Sequence, residues 1–414
     1  MHMFQKFMQE RYYCGLDVGS QTVKAALIEI QGQDPAPKLL GAFEVPAAGF
    51  QDGSISDLAE LSESIHEAVN GISKKAGVNL QEVQMGLSAG VIEARLSPAV
   101  IPLMDRGSKI ITERDIHRIQ AQARALGLNV EETLIHDFVQ YYKVDDVNTA
   151  LNPLGLYGRK LEVQSLLIVV NNTFLKNLAK AVNQAGYDLG KIFFTSYASS
   201  YAILNDQDRK EGSIFLDIGS SASDMLIFKD NRLKCEVKLP RGGSDITKNI
   251  AAKLDIGLDL AEDIKTSYAS ALESDNVSDE EILIKRDEGY FPVKKHLIAA
   301  AVEPVVSEIV GALADEVKKT GYYHQVRNGM VMAGGGALLA GLPERFEKDT
   351  NLHVKLGQVR LAQRRLSSAS KFAGAVGLAQ LGWRESSRKK RASTVENLPQ
   401  YIAGKVKELY NEYF

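Results

Sequence analysis

Two short loops with the same sequence pattern carry residue types that can do chemistry. Residues 15–28 read GLDVGSQTVKAALI and residues 215–228 read FLDIGSSASDMLIF. Each places an aspartate, a glycine and small polar residues between two apolar runs, which is typical of a β-hairpin with a tight turn. Three pairs of residues match at a constant offset of 200 positions: Asp17 with Asp217, Gly19 with Gly219 and Ser20 with Ser220. Two unrelated hairpins are the alternative, but the match continues into the following strand, so we interpret the loops as parts of an internal duplication.

The composition of both loops suits the binding of phosphate groups. A glycine permits a sharp turn, and the backbone N–H groups that follow it can point at phosphoryl oxygens. Two such loops facing each other across a cleft would bracket the phosphates of one nucleotide, whereas either loop alone is equally well a structural turn. The candidate phosphate-binding residues are Asp17, Gly19, Ser20, Gln21 and Thr22 in the first loop and Gly219, Ser220 and Ser221 in the second.

The aspartates that end the first strand of each hairpin are candidate magnesium ligands. Protein-bound Mg²⁺ keeps several waters and takes only one or two carboxylates. Asp17 and Asp217 would supply one carboxylate from each loop. Asp217 is our candidate for the catalytic residue, as the group closest to the metal and to the attacking water.

A third glycine-rich element follows in the second half of the chain. Gly334, Gly335 and Gly336 come directly after an apolar run and precede a predicted helix. Because glycine has no side chain, a flat base or a ribose can lie against the backbone there. A plain strand-to-helix turn is the alternative, although one glycine would usually suffice for it. Glu262 and Lys265 share one face of another predicted helix and can hold ribose hydroxyls, or they form an ordinary solvated ion pair.

The elements that must position these residues follow from hydrophobic periodicity. Apolar residues at steps of three and four predict helices over 57–76, 111–126, 173–186, 260–272 and 298–319. Thr112 with Asp115 fits a capping box, and Asp259 with Glu262 is a possible cap of the 260–272 helix. Strands are predicted after the first hairpin, at VQMGLSA, and around 134–142 and 161–170. A strand, a helix and two strands between residues 84 and 170 predict a small inserted α+β unit.

Composition limits the class of protein. The 414 residues are 45% hydrophobic and 24% charged, which excludes wholesale disorder. The net charge of -3 argues against a nucleic-acid-binding protein. Cys14 and Cys235 fit neither a disulfide framework nor a metal site. We find no signal peptide and no apolar run near the length of about 18 residues that spans a bilayer, and therefore expect a cytoplasmic, multidomain protein.

Over residues 13–414 the chain resembles the FtsA family of the actin, Hsp70 and sugar-kinase ATPase superfamily. The resemblance is carried by the hairpins and by several further stretches. These stretches are NPLGLYGRKLEVQ (152–164), SYASSYAILNDQDRKEGSIFLDIG (196–219), LPRGGSDITKNIA (239–251), AEDIK (261–265), AVEPVVSEI (301–309), VMAGGGALLAGL (331–342), AVGLAQLG (375–382) and the terminal segment. The stretch at 152–164 and the terminal segment are specific to FtsA within the superfamily.

The resemblance implies an α/β, duplicated actin-like ATPase fold of four subdomains with a C-terminal amphipathic helix. The implied boundaries are 11–86 and 169–210 for subdomain IA, 87–168 for the inserted subdomain IC, 211–245 and 319–383 for IIA, and 246–318 for IIB, followed by a linker at 384–397 and a membrane-targeting helix at 398–414. It also implies that the protein binds ATP with Mg²⁺, assembles into filaments and tethers FtsZ to the inner face of the cytoplasmic membrane at the division site. Subdomain IC would bind other division proteins.

One departure from the family pattern concerns the second phosphate loop. The family usually has glycines where this chain has Ser220 and Ser221, and a threonine where it has Ala222 or Ser223. We therefore expect nucleotide binding with at most weak ATP hydrolysis. The alternatives are a PilM-like pilus-assembly protein, which is expected to lack the terminal segment, and a metabolite kinase of the same superfamily, for which no general base stands out.

Two surfaces are candidate contacts with partners. In residues 398–414 an apolar and aromatic face predicts a helix lying on an anionic membrane, preceded by the basic run Arg388–Arg391; packing on the protein's own core is the alternative. The residues of that face are Leu398, Tyr401, Ile402, Val406, Leu409, Tyr413 and Phe414. On IIB, the basic cluster of Lys285, Arg286, Lys294 and Lys295 is a candidate site for the FtsZ C-terminal peptide, or an ordinary solvated face.

Overall fold

Both predicted hairpins form, each at the centre of its own five-stranded sheet. The computed structural model describes residues 12–30, 37–104, 107–146, 148–272, 280–286, 289–361 and 367–388. The first hairpin joins β1 (Tyr12–Val18) to β2 (Thr22–Glu29), and the second joins β14 (Ser213–Ile218) to β15 (Ser223–Lys229). Asp17 pairs with Lys24 across the first hairpin, and Asp217 pairs with Asp224 across the second, at the same register.

The remaining strands and the helices are as follows. The other strands are β3 (Lys38–Pro46), β4 (Phe50–Gln51), β5 (Ser54–Ile55), β6 (Glu82–Leu87), β7 (Ile92–Pro102), β8 (Lys109–Ile110), β9 (Glu132–Val144), β10 (Asn148–Ala150), β11 (Tyr157–Gly158), β12 (Lys160–Asn171), β13 (Asp188–Phe194), β16 (Arg232–Leu239), β17 (Glu281–Arg286), β18 (Gly289–Lys294), β19 (Met330–Ala333) and β20 (Val354–Leu356). The helices are α1 (Leu58–Ala76), α2 (Glu113–Gly127), α3 (Asn172–Gln184), α4 (Thr195–Ile203), α5 (Asp206–Glu211), α6 (Gly243–Leu254), α7 (Leu258–Tyr268), α8 (Lys295–Lys319), α9 (Leu342–Thr350) and α10 (373–388).

The two large sheets have the same topology. Their strand orders are β3-β2-β1-β6-β13 and β16-β15-β14-β19-β20. In each sheet an antiparallel meander of three strands is followed by two strands parallel to the first strand of the hairpin. A shared order and a shared register confirm the internal duplication that the 200-residue offset predicts.

The insert is a separate α+β unit with its own core. Its sheet has the order β10-β9-β12-β7, and α2 packs on β7 and β12. The α2 N-cap is Thr112, whose capping box with Asp115 is confirmed. VQMGLSA does form a strand, but that strand is β6, which belongs to the first large sheet and not to the insert. The insert instead uses β7, which our sequence analysis missed.

The second half carries additional helices beside its sheet. The apolar stripe of α8 packs through Ile298, Val302 and Val306 into the core of this half. By length and composition α8 is long enough to cross a bilayer, so our expectation of no apolar run of that length was wrong. Because those side chains are buried against α6 and the sheet, the apolar run is explained by the interior of the protein.

Three local predictions differ from the structure. Gly336 opens a 3₁₀ turn, Gly336–Leu338, and the following α-helix begins only at Leu342. The N-cap of α7 is Gly257, and Glu262 turns toward α6 instead of capping its own helix. Residues 384–388 of the predicted linker continue α10, where the Arg384 guanidinium lies 5.3 Å from the Tyr201 ring centroid.

Several predictions fall on parts of the chain outside the described residues. The membrane-targeting face at 398–414 and the remainder of the linker lie beyond residue 388, the last described position. Lys285 and Arg286 lie on β17, but their side chains are outside the described part.

Candidate nucleotide site

A cleft of about 780 Å³ opens between the two sheets at the hairpin turns. All of the predicted phosphate, metal and ribose residues line it. These are Asp17, Gly19, Ser20, Gln21, Thr22, Asp217, Gly219, Ser220, Ser221, Glu262, Lys265, Gly334, Gly335 and Gly336. The fold therefore brings together residues that lie up to about 320 positions apart in the sequence.

The two turns have the same internal hydrogen bond. The Gly19 N–H donates to the Thr22 carbonyl at 3.0 Å, and the Gly219 N–H donates to the Ala222 carbonyl at 2.9 Å. The turns face each other closely enough for the Ser20 and Ser221 hydroxyls to hydrogen-bond at 3.0 Å. This bond joins the two halves of the molecule at the point where the two hairpin turns meet.

The N-terminus of α6 fixes the orientation of the second loop. The Gly243 N–H donates to the Gly219 carbonyl at 2.9 Å, and the Ser244 N–H donates to the Ser220 carbonyl at 2.8 Å. In a trans peptide the C=O and the next N–H point in opposite directions. The Ser220 and Ser221 N–H groups are therefore directed away from α6. Gly242 permits this contact, because a Cβ there would lie 2.4 Å from the Ser220 carbonyl oxygen.

The three glycines after β19 have different roles. Gly334 has φ +88°, and a Cβ on it would lie 2.3 Å from the Ile218 carbonyl oxygen. A Cβ on Gly336 would lie 2.5 Å from a side-chain carbon of Ile218. Gly334 and Gly336 are thus needed for the close approach of β14. Gly335 has a right-handed conformation and nothing within 4 Å of an added Cβ, so it alone leaves space for a ligand.

Three carboxyl groups lie at the floor of the cleft. Burial raises the pKa of Asp17, opposed by Lys24. Burial raises the pKa of Asp217 to about 6, opposed by a hydrogen bond from Ser199 and reinforced by the negative charge of Asp17. Asp224 is 7% exposed, and burial holds its pKa well above the ordinary value although Ser196 donates to it.

Helix α4 supplies the hydroxyls that meet these carboxyl groups. Ser196 and Ser199 lie three positions apart, so both face the cleft. Between them, Tyr197 packs at a tilted angle against the rings of His136 and Phe138 of β9, whose centroids lie 5.1 Å and 4.9 Å from its own. The helix is therefore held between the cleft and the insert.

The predicted ribose pair is part of a larger hydrogen-bonded network. The Lys265 ammonium donates to Glu262 at 2.7 Å, to Thr247 at 2.9 Å and to the Gly243 carbonyl at 3.1 Å. The Lys265 side chain is only 12% exposed. The two residues do form an i,i+3 ion pair, but its lysine is largely buried instead of solvated. The network ties α7 to the N-terminal turn of α6.

Several residues that line the cleft did not stand out in the sequence. Lysines reach it from separate elements: Lys24, Lys238, Lys248 and Lys371, in addition to Lys265. The Lys371 ammonium bonds to Glu44. The offset of 200 would have paired Lys24 with Asp224, but nothing local marks the other three lysines. Their charges favour an anionic ligand such as a polyphosphate.

The candidate peptide site on the second half is only partly described. Lys295 forms an ion pair with Glu280 at 2.7 Å, and Lys294 also has a partner. Tyr290 and Phe291 on β18 are 67% and 53% exposed. The site thus offers exposed aromatic surface beside lysines that are already engaged.

Two sequence profiles of one family match the chain. The profile described as "Cell division protein FtsA" matches residues 214–377, and the profile described as "SHS2 domain inserted in FTSA" matches residues 90–169. Together they cover more than half of the chain. The second profile falls on the insert built from β7 to β12.

Relatives that match the chain over most of its length are described by the same name. The chain is 27% identical to the cell division protein FtsA of Neisseria meningitidis serogroup B, over 84% of each chain. It is 24% identical to the cell division protein FtsA of Escherichia coli K12, over 85% of each chain.

Solved structures support the same fold. The chain is similar to a chain of a PilM-PilN type IV pilus biogenesis complex, with a TM-score of 0.63 at 18% identity over 90% of this chain and 98% of that one. It is also similar to MreB5 of Spiroplasma citri bound to ADP, with a TM-score of 0.52 at 14% identity over 94% of this chain and 99% of that one. Because the family profiles, the relatives and the duplicated actin-like architecture agree, the chain belongs to the FtsA family of cell-division proteins.

Proposed function

We propose that the cleft binds ATP with Mg²⁺, with the phosphates between the two hairpin turns and the base against Gly335. The observation that carries this proposal is the meeting of two duplicated glycine turns at the Ser20–Ser221 hydrogen bond, inside a cleft of about 780 Å³. The solved structure of MreB5 bound to ADP, which has the same fold, is in keeping with it.

The residues of the cleft suit each part of the nucleotide. The Ser220 and Ser221 N–H groups are directed away from α6 and are available to phosphoryl oxygens. The lysines around the cleft offset the negative charge of the phosphates, and Glu262 with Lys265 would hold the ribose. Gly335 leaves a flat surface for the base.

The carboxylates fit a magnesium ion held mainly by water and phosphate. Among the described residues, no group of three or more metal-ligating side chains converges, but Mg²⁺ in nucleotide sites needs only one or two carboxylates. Asp17 and Asp217 would hold it, and the ion would neutralise the phosphate charge. Asp217, with its raised pKa, would accept a hydrogen bond from the attacking water. Hydrolysis would be slow at most.

Membership of the family supports a proposal for the wider role of the protein. We propose that the protein polymerises and tethers FtsZ to the inner face of the cytoplasmic membrane at the division site. The terminal segment 398–414 would lie on the membrane, the second half would bind the FtsZ C-terminal peptide near Lys294 and Lys295, and the insert would contact neighbouring copies and other division proteins. The PilM-like alternative shares the fold, but both family profiles describe FtsA.

The nucleotide proposal is tested by filling the space beside Gly335. Gly335→Phe places a ring in the cleft without backbone strain, because Gly335 already has a right-handed conformation. Titration calorimetry with Mg·ATP should show at least a tenfold weaker affinity than the wild type. Gly257→Phe is the matched control, since an added Cβ there also meets nothing within 4 Å but lies outside the cleft. Equal affinity for all three proteins, or no binding by the wild type, would refute the assignment.

A further inference from the structure

Strand β9 of the insert contacts both halves of the molecule within the short stretch 136–140. At one end of this stretch, the His136 Nε2 atom accepts a hydrogen bond at 3.0 Å from the Phe194 N–H of the first half. At the other end, the Gln140 amide donates at 2.7 Å to the Leu233 carbonyl of β16, in the second half. Gln140 is only 6% exposed. A single strand of the insert therefore bridges the two halves.

The Arg232 guanidinium adds to the contact with the second half. It donates at 2.7 Å to the Val139 carbonyl on β9 and at 2.8 Å to the Leu151 carbonyl, which follows β10. The planar fork of an arginine can reach two acceptors at once, whereas the single ammonium of a lysine is a point charge. Within the described part of the chain, both side-chain hydrogen bonds of Arg232 go to the insert.

This contact lies far from the cleft. Strand β15 begins at Ser223, beside the turn that lines the cleft, and ends at Lys229. Its length is about 20 Å, from a rise of about 3.3 Å per residue, so the β15–β16 turn at 230–231 is at the opposite end of the sheet. Both N–H groups of that turn donate to carbonyls of α5 at 3.1 Å. Helix α5 leads directly into β14, so the contact lies beside the connection between the two halves.

The contact with the first half is made to a helix that lines the cleft. Phe194 is the N-cap residue of α4, and α4 has no side-chain cap of its own. His136 therefore contacts this helix at its start. The Ser196 and Ser199 hydroxyls of the same helix meet the carboxyl groups of the cleft. The insert is thus in contact with an element of the cleft and, through the next residues of β9, with the far end of the second sheet.

From these contacts we infer that His136, Gln140 and Arg232 form a clasp that limits the opening of the cleft and couples the position of the insert to the cleft. The insert is connected at both ends to the first half, through β6 and α3. When the two halves rotate apart, the insert moves with the first half, and the hydrogen bonds to the second half must break.

The coupling to a nucleotide rests on the proposed function of the cleft. A ligand that holds the two halves together also holds the insert against β16. A partner that draws the insert away from β16 opens the cleft and releases the ligand, because the coupling between two binding sites is reciprocal.

The clasp is tested first without nucleotide, by amide hydrogen exchange of the Arg232→Ala variant. We expect the amides of the two hairpin turns, 19–22 and 219–222, to exchange at least about threefold faster than in the wild type, because a weaker clasp raises the population of the open cleft. The buried strand β19 should exchange as in the wild type. Arg232→Lys keeps the charge but cannot donate to both carbonyls in the same way, and it should give an intermediate rate.

Arg95→Ala is the matched control for this experiment. Arg95 forms ion pairs at 2.8 Å and 2.6 Å with Glu93 and Glu132, which lie within the insert and its base. Its loss should leave exchange at the two turns unchanged. Unchanged exchange at the turns in both Arg232 variants would refute the clasp. Equal acceleration in the turns and in β19 would also refute it, since that result indicates general destabilisation.

The coupling is tested by the rate at which a fluorescently labelled ATP dissociates, measured by stopped flow. We expect Arg232→Ala to release it at least about threefold faster than the wild type, in proportion to the lost population of the closed state. Arg95→Ala should release it at the wild-type rate. If the wild type binds no nucleotide, the proposed function and the coupling fail together, and the exchange at the turns still decides the clasp. If the wild type binds and Arg232→Ala releases at the same rate, the coupling is refuted while nucleotide binding stands.

Discussion

The carboxyl group of Asp217 illustrates how a single residue at the cleft opposes the stability of the fold. Burial raises its pKa to about 6, against an ordinary value of 3.8. Between about pH 4 and pH 6 the folded protein therefore holds a proton that the unfolded chain has released. The contribution of Asp217 to the free energy of unfolding therefore falls as the pH rises through this window, and it is lowest above about pH 6. A loss of stability of this kind is expected where a buried carboxylate serves to bind a ligand.

Replacing Asp217 by asparagine should relieve this cost. At pH 7 the free energy of unfolding of nucleotide-free Asp217→Asn should exceed that of the wild type by up to about 3 kcal/mol, because burial raises the pKa of the Asp217 carboxyl from 3.8 to about 6. The difference should shrink toward zero near about pH 3, below the ordinary pKa of 3.8, where the wild-type carboxyl is mostly protonated in both states. Urea unfolding at the two pH values measures this. If the variant is less stable than the wild type at pH 7, the buried Asp217 charge does not lower the stability of the fold.

At the scale of helices and strands, the sequence predicted those elements whose formation depends on a local pattern of residues. The hairpins, α1 and α8 follow from alternating or helical apolar spacing, and the cap at Thr112 follows from its partner three residues later. The strand β7 was missed because Leu96 and Val100 are exposed on it, which blurs the alternation. The role of VQMGLSA was misjudged because sheet membership depends on long-range pairing, in this case with β1 and β13.

The residues of the candidate site that lie in the duplicated loops were predicted. The residues that only the tertiary structure brings to the cleft were missed. Asp17 and Asp217 are found by comparing the loops with each other. By contrast, the support that α6 gives to the second loop depends on backbone contacts with Gly242 and Gly243, and the approach of Ser196 to Asp224 depends on how α4 packs. Neither of these two contacts can be predicted from the spacing of residues along the chain.

Packing of α10 against β1 gives a prediction at the same scale. A Cβ on Gly15 would lie 1.9 Å from the Ala375 carbonyl oxygen and 2.7 Å from the Ala379 nitrogen, so backbone atoms would have to move. Gly15→Ala should lower the free energy of unfolding by at least about 2 kcal/mol. Gly257→Ala is the control, because its Cβ meets nothing within 4 Å, and it should change stability by less than about 1 kcal/mol. Equal urea midpoints for the two variants would show that α10 does not pack closely on β1.

At the scale of the whole molecule, α10 begins at the cleft and runs to the C-terminal end of the described residues. Gly374 at its start lies beside the Asp17 carboxylate, since a Cβ there would be 2.8 Å from Oδ2. The helix continues to residue 388, the last described position, next to the basic run that precedes the predicted membrane segment. The proposed nucleotide site therefore lies at the start of α10, and in the sequence the proposed membrane segment follows the last described residue of this helix.

The proposed role of this chain is to hold FtsZ at a membrane, and co-sedimentation provides a direct test of that role. Full-length protein, FtsZ and Mg·ATP are pelleted with vesicles that contain anionic lipid. We predict that FtsZ pellets only when the protein is present, because about seven apolar side chains per copy and the basic run bind weakly alone but strongly in an assembly of many copies. A chain truncated after Thr394 should bind ATP normally and leave FtsZ in the supernatant. If the truncated chain pellets FtsZ with the vesicles, or if the full-length chain leaves FtsZ in solution, the claim is contradicted.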